Sequence, residues 1–241
     1  MKCVIHGSGG VGGYYGGGLA RAGHEVFLIA RGARLEAIQQ QGLSIKSAKG
    51  DFRIETPKSG ERCDPNFDPD LVIVAVKSWQ LPEITEEIKN YCTPSTLILP
   101  LQNGADASDI LADTLGPERV LGGLTKIFSK IEAPGVINHF TGATYIGFGE
   151  YFQDPQFQNA PDSLSERCRN LEKELDSTPG IDAEAFVDIQ KELWRKMLIF
   201  VSTSGVGTIT RTPNGVFRSI PETREMLIQL IREILIVGQA K

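Results

Sequence analysis

The sequence predicts an α/β fold: a doubly wound, mostly parallel sheet over residues 1–184, followed by an all-helical, incomplete second domain over residues 185–241. Three observations carry this. Short apolar runs alternate with helical spacings in the first part, a glycine-rich turn joins the first run to the first helix, and beyond about Ile181 apolar residues recur every four positions.

Lys2 to His6 is an apolar run bounded by glycine and reads as a buried strand. The segment GSGGVGGYYGGG follows, with glycine at eight of twelve positions; a helix from Tyr14 to Ala22 and a second strand from Glu25 to Ala30 come next. Leu71–Val76 and Thr96–Leu101 are further buried strands, each entered from a turn-rich stretch, CDPNFDPD and CTPS. Between them Leu81, Ile84 and Ile88 lie at helical spacing, with Pro82 in the first turn, where its missing N–H costs little. ERVLGG, GVINHF and ATYIGFG read as additional strands, and Leu164, Cys168, Leu171 and Leu175 as one face of a helix. The helical region rests on Ile189, Leu193, Met197 and Val201 and on the pattern from Pro221 to Gly238, which places the boundary near Glu184. The last helix runs to Lys241 with only Gly238 near a capping position, so the chain reads as cut short.

Composition narrows the function classes. A formal charge of -5 and a pI near 5.4 give no general attraction to nucleic acid or anionic lipid. No apolar run approaches the roughly 20 residues of a membrane span, and MKCVIHGSGG lacks a signal peptide's apolar segment, so a cytoplasmic protein is expected. Cys3, Cys63, Cys92 and Cys168 are widely separated and lack zinc spacing, so they read as reduced thiols and no metal is expected. His6, His24 and His139 form no triad and read as structural, and neither GxSxG nor HExxH occurs.

The glycine turn carries the first functional signal. Gly7, Gly9 and Gly12 fit GxGxxG directly after a strand and at the mouth of a helix, the context of a Rossmann-like dinucleotide site. The first glycine makes the turn, the second clears room for a pyrophosphate and the third lets helix and strand approach. The backbone from Gly7 through Ser8, Gly9, Gly10 and Val11 to Gly12 would then hold the phosphates at the helix N-terminus. Gly16, Gly17 and Gly18 suggest close packing of the same helix. An acid ending the second strand would favour NAD; here Arg31 stands there, with Arg34 nearby, and a cation without a neighbouring carboxylate selects the 2′-phosphate of NADP(H). Arg31 and Arg34 could otherwise be solvated loop cations.

Polar residues just after strands of an open sheet lie where ligands bind. Lys77 ends LVIVAVK and Asn103 follows TLILPLQ, although a solvated lysine and an Asn-Gly turn are the plain alternatives. Lys196, in KELWRKMLIF, has Glu192 four residues earlier, and periodicity alone reads it as half of a helix-surface ion pair.

Taken together, GSGGVGG, Arg31, AVK with Lys77, LQNG with Asn103, PGVINHF and ELWRK with Lys196 resemble the ketopantoate reductase family, the NADPH-dependent 2-dehydropantoate 2-reductases, across nearly the whole chain. The resemblance implies a Rossmann domain followed by a helical domain for substrate and dimerisation, reduction of a small 2-keto acid to a hydroxy acid in pantothenate and coenzyme A biosynthesis, and a possible homodimer. It also implies that Lys196 is the general acid and that Asn103 orients it or the cofactor. Lys77 would hold cofactor phosphate or substrate carboxylate. The family pattern has asparagines four and eight residues after the lysine, where this chain has Phe200 and Ser204; Ser204 can still meet substrate, whereas Phe200 enlarges the apolar share of the pocket. A serine and a glutamate that the family uses further on lie past the last residue. Two rivals remain open: a non-catalytic NADP(H)-binding redox sensor, which needs no acid, and an opine-dehydrogenase-like enzyme acting on another keto acid.

Overall fold

The computed structural model describes residues 1–152 and 163–240, so Lys241, the expected end of the last helix, lies outside the described residues. Contacts divide the chain into two units: Met1–Gln102 with Asp106–Ile189, and Asn103–Ala105 with Gln190 onward.

The first unit opens with β1 (Lys2–His6), α1 (Gly10–Arg21), β2 (Glu25–Ile29), α2 (Ala33–Gln41), β3 (Leu43–Ser47), β4 (Phe52–Ile54) and β5 (Lys58–Gly60). It continues with β6 (Leu71–Val74), α3 (Leu81–Lys89), β7 (Leu97–Pro100), α4 (Ala107–Leu115), β8 (Leu121–Ala133), β9 (Val136–Glu150), α5 (Glu166–Asp176) and β10 (Asp182–Ala185). Five strands pair in the order β5-β2-β1-β6-β7, all parallel. Side chains alternate across a strand, so β1 and β6 bury both faces: Cys3, Ile5, Leu71 and Ile73 enter one core with α1, while Val4, Val72 and Val74 enter another with α3 and α4. This is the doubly wound, Rossmann-like sheet that the alternating runs predict.

A second sheet was not legible in those runs. GVINHF and ATYIGFG are two stretches of one fifteen-residue strand, β9, which forms a long antiparallel hairpin with β8. The opposite edge of β9 is shared: β3 pairs in parallel with its first part and β10 with its later part. Helix α1 lies between the sheets, and its glycines follow from that. A Cβ on Gly16 would sit 2.7 Å from Leu28 and 2.8 Å from Ile5 of the first sheet, while one on Gly13 would sit 2.9 Å from Ile137 of the second. At Gly18 the nearest atom would be 3.7 Å away, an ordinary contact, so packing does not require glycine there.

Because Asp182–Ala185 is a strand, regular helix resumes only at Ile189, where α6 (Ile189–Thr210) begins. With α7 (Asn214–Ser219) and α8 (Pro221–Gln239) it makes up most of the second unit, around a small core of Val206, Phe217 and Leu227. Gly238 is no cap but lies inside α8, where a Cβ would come within 2.9 Å of the Trp194 ring. Among the described residues no helix is long and apolar enough to cross a membrane, and no group of His, Cys, Asp and Glu is placed to hold a metal ion.

Candidate functional site

The sheet of the first unit delivers its glycine turn from the carboxyl end of β1. Gly7 adopts φ +105°, and a Cβ there would press to 2.8 Å from Val76, so the turn admits only glycine. A Cβ on Gly12 would overlap the Gly7 carbonyl oxygen at 2.3 Å. Gly9 differs: nothing lies within 4 Å of where its Cβ would be, which leaves the outer side of the turn open. Gly9 also caps α1 without a side-chain hydrogen bond. The N–H groups of Gly10, Val11 and Gly12 occupy the first turn of α1 and have no intrahelical acceptor. Open space facing first-turn donors fits a pyrophosphate.

Ser8 is turned inward. Its hydroxyl and its N–H both donate to the Ile29 carbonyl, at 2.8 and 3.1 Å, so it ties the turn to β2 and has no donor left for a phosphate. His6 is buried, with Nδ1 3.1 Å from the Tyr91 hydroxyl. Burial, with a smaller contribution from the Arg31 charge, pushes its pKa down to about 4, so a neutral ring underlies the turn at neutral pH.

Arg31 projects from the end of β2, half exposed, but the expected absence of carboxylates does not hold. Its guanidinium lies 3.5 Å from Glu83 and 3.7 Å from Glu87, which stand four residues apart on one face of α3. Lys77 is exposed and heads a short 3-10 turn, Ser78–Gln80, with its N–H donated to the Gln80 side chain at 3.1 Å. Ala75 and Val76, just before it, form the floor under Gly12 and Gly7, so Lys77 emerges beside the cradle.

Asn103, Lys196 and Ser204 come together in the second unit. They line a groove of about 650 Å³ with Leu193, Met197, Phe200 and Val201. Lys196, Phe200, Ser204 and Thr208 follow one another every four residues, and this spacing puts them on one face of α6. The Lys196 ammonium stands 5.4 Å from the centre of the Phe200 ring, within range of its negative face. Glu192 forms its ion pair with Arg195. Gln102, buried and missed by motif reading, donates to the carbonyls of Val74 and Val76 and so anchors the chain just before Asn103. Thr208 was also missed, although its spacing from Lys196 was a readable signal. A second hollow of about 450 Å³ shares Ser204 and Thr208 and adds Thr203, Thr212 and Asn214.

The remaining histidines and the cysteines are engaged in the fold. His24 meets the N-terminal amine, and His139 lies between Ser47 and the Ala143 carbonyl. All four cysteines are free, and burial raises Cys3 and Cys63 to about 12 and Cys92 and Cys168 to about 11, far from thiolate chemistry.

The pattern of the family described as "Ketopantoate reductase PanE/ApbA" matches residues 3–151, and that of its C-terminal part matches residues 188–241. The chain belongs to the ketopantoate reductase family. It is 32% identical over 241 residues to "Uncharacterized oxidoreductase YkpB" of Bacillus subtilis, covering 98% of this chain and 74% of that one. A 2-dehydropantoate 2-reductase of Pyrococcus abyssi is 28% identical over 235 residues, covering 97% and 72%. The solved 2-dehydropantoate 2-reductase of Geobacter metallireducens superposes with a TM-score of 0.87 at 26% identity, covering 99% of this chain and 75% of that one. A ternary structure of D-mandelate dehydrogenase with NADH and anilino(oxo)acetate shares the fold, with a TM-score of 0.85 at 22% identity over 100% and 74% of the two chains. As a ketopantoate reductase family member the chain is an oxidoreductase of the 2-keto acid type, and its cofactor is NADP(H). The glycine cradle fits that cofactor, and Arg31 offers its 2′-phosphate a cation that is shared with Glu83 and Glu87.

Proposed function

We propose that the protein reduces a branched 2-keto acid with NADPH, with 2-dehydropantoate as substrate and pantoate as product, as a step of pantothenate and coenzyme A biosynthesis. The observation that carries this is the shared groove of Asn103, Lys196 and Ser204. When bound, NADPH supplies the hydride to the carbonyl carbon. Negative charge then builds on the carbonyl oxygen; the Lys196 ammonium stabilises it and delivers the proton to that oxygen. Asn103, fixed by the Gln102 anchor, orients the lysine or the cofactor. Leu193, Met197 and Val201 suit the paired methyl groups of 2-dehydropantoate, and Ser204 suits its terminal hydroxyl. Lys77 and the glycine backbone hold the phosphates. In this reading residues 1–184 form the NADP-binding domain, and residues 185–241 belong to the substrate and dimerisation domain.

Phe200 favours a second reading, in which the preferred acid carries an aromatic or unhydroxylated side chain, because a ring edge cannot satisfy a buried hydroxyl. One assay decides between them. NADPH oxidation is followed with 2-dehydropantoate, 3-methyl-2-oxobutanoate and phenylglyoxylate. Highest kcat/KM on 2-dehydropantoate supports the first reading, and highest kcat/KM on either other acid supports the second. Tight NADPH binding with no turnover on any acid sinks both and leaves a binding module.

A further inference from the structure

The end of β2 lacks the acid that recognises the ribose hydroxyls of NADH, yet the fold returns two carboxylates to the same place. Glu83 and Glu87 stand 52 and 56 residues after Arg31, and both reach its guanidinium. They share a face of α3 because Leu81, Ile84, Thr85 and Ile88 bury the other. The two are not equivalent. The Glu83 side chain is 68% exposed, whereas that of Glu87 is 17% exposed, and its Oε1 is buried with no hydrogen-bond partner among the described residues. Burial raises the pKa of Glu87, while Arg31 and Arg62 work to keep it charged.

We infer that Glu83 and Glu87 are coenzyme-discriminating residues that weaken the preference for NADPH and let NADH bind the same cradle. The inference rests on the dinucleotide reading of the glycine turn but not on the reduction of any keto acid. Two effects act in one direction. A 2′-phosphate that pairs with Arg31 comes to lie beside two carboxylates that already share its guanidinium, and such like-charge neighbours are unfavourable. The 2′- and 3′-hydroxyls of NADH are donors, and a carboxylate at this position accepts from them. Arg31 therefore attracts one coenzyme while its acidic partners favour the other.

The test is direct binding of NADPH and NADH to the full chain, read by the fluorescence of the reduced nicotinamide with no keto acid present. Glu83→Gln and Glu87→Gln keep the size of each side chain and remove its charge. Each is expected to raise the ratio of NADPH to NADH affinity about two- to fivefold, the range of exposed charge pairs. Arg31→Ala is expected to lower the ratio below that of the unaltered protein. Melting temperatures of the variants establish that each is folded, and the exposed Glu83 suffices if Glu87→Gln does not fold. A ratio unmoved by Glu83→Gln overturns the inference, as does a chain that binds neither dinucleotide. A ratio that shifts in a protein with no turnover on any keto acid sustains the inference while removing the reductase reading.

Discussion

The cradle and the lysine groove are built by opposite means. The cradle is made of backbone: glycines at fixed positions, helix N–H groups and a floor of Ala75 and Val76, with side chains largely excluded. The groove is made of side chains on one face of α6, set every four residues. The difference teaches how each can be damaged. A single methyl group in the wrong place ruins a backbone site, whereas a side-chain site loses only what the removed side chain supplied.

Substitutions can break or sharpen this contrast. The largest expected effect is on the groove: Lys196→Ala should lower kcat by about 10²- to 10⁴-fold, the span of general acid catalysis, while leaving the NADPH dissociation constant within about twofold. Near-normal turnover would refute the assignment. On the cradle, Gly12→Ala would force a Cβ to 2.3 Å from the Gly7 oxygen. It should lose NADPH binding in titrations and cost about 1–3 kcal/mol of stability by denaturant unfolding. His6, which underlies the turn, should titrate as well. The unfolded chain takes up a proton on His6 near pH 6.5, but the folded protein resists until about pH 4. Stability is therefore full above pH 6.5 and falls as the pH drops towards 4, by about 3 kcal/mol in all. Urea midpoints measured across that window should fall less steeply in His6→Gln.

Gly9→Ala separates binding from stability. Its Cβ would enter open space, so the melting temperature should hold while NADPH affinity drops about tenfold, a tenfold change being about 1.4 kcal/mol. Smallest of all is Gly18→Ala. With its nearest contacts at 3.7 Å or more, the extra methyl should stabilise the helix by about 0.5–1 kcal/mol, seen as a slightly higher melting temperature with unchanged NADPH binding. A destabilised Gly18→Ala would mean that α1 is packed more tightly than these distances indicate.

The parallel sheet was legible because strands buried on both faces leave uninterrupted apolar runs, as LVIV and LILP do. The second sheet was hidden for the converse reason. The strands β3, β4 and β10 are three to five residues long and partly exposed, and their pairing is set by partners distant in the chain. Among site residues the glycines announced themselves by spacing, since a backbone site writes its geometry into the sequence. Lys196 did not: periodicity reads it as a partner of Glu192, and only the resemblance singles it out, while the groove shows it sharing a lining with Asn103. The carboxylates around Arg31 were out of reach, because nothing local to Arg31 foretells that α3 will turn Glu83 and Glu87 towards it.

The pairing of β3 with β9 also has a meaning in time. During synthesis all five strands of the parallel sheet exist once Pro100 has been made, and its βαβ units can close early from the N-terminus. Strand β3, already made, must wait for Val136–His139 to be translated before it finds its parallel neighbour. Until then the part of α1 around Gly13 lacks the cover of Ile137, while Gly17 can already meet Ile45 of β3. A nascent chain halted between Pro100 and Val136 would therefore carry a finished parallel sheet whose first helix still lacks the β9 contact at Gly13.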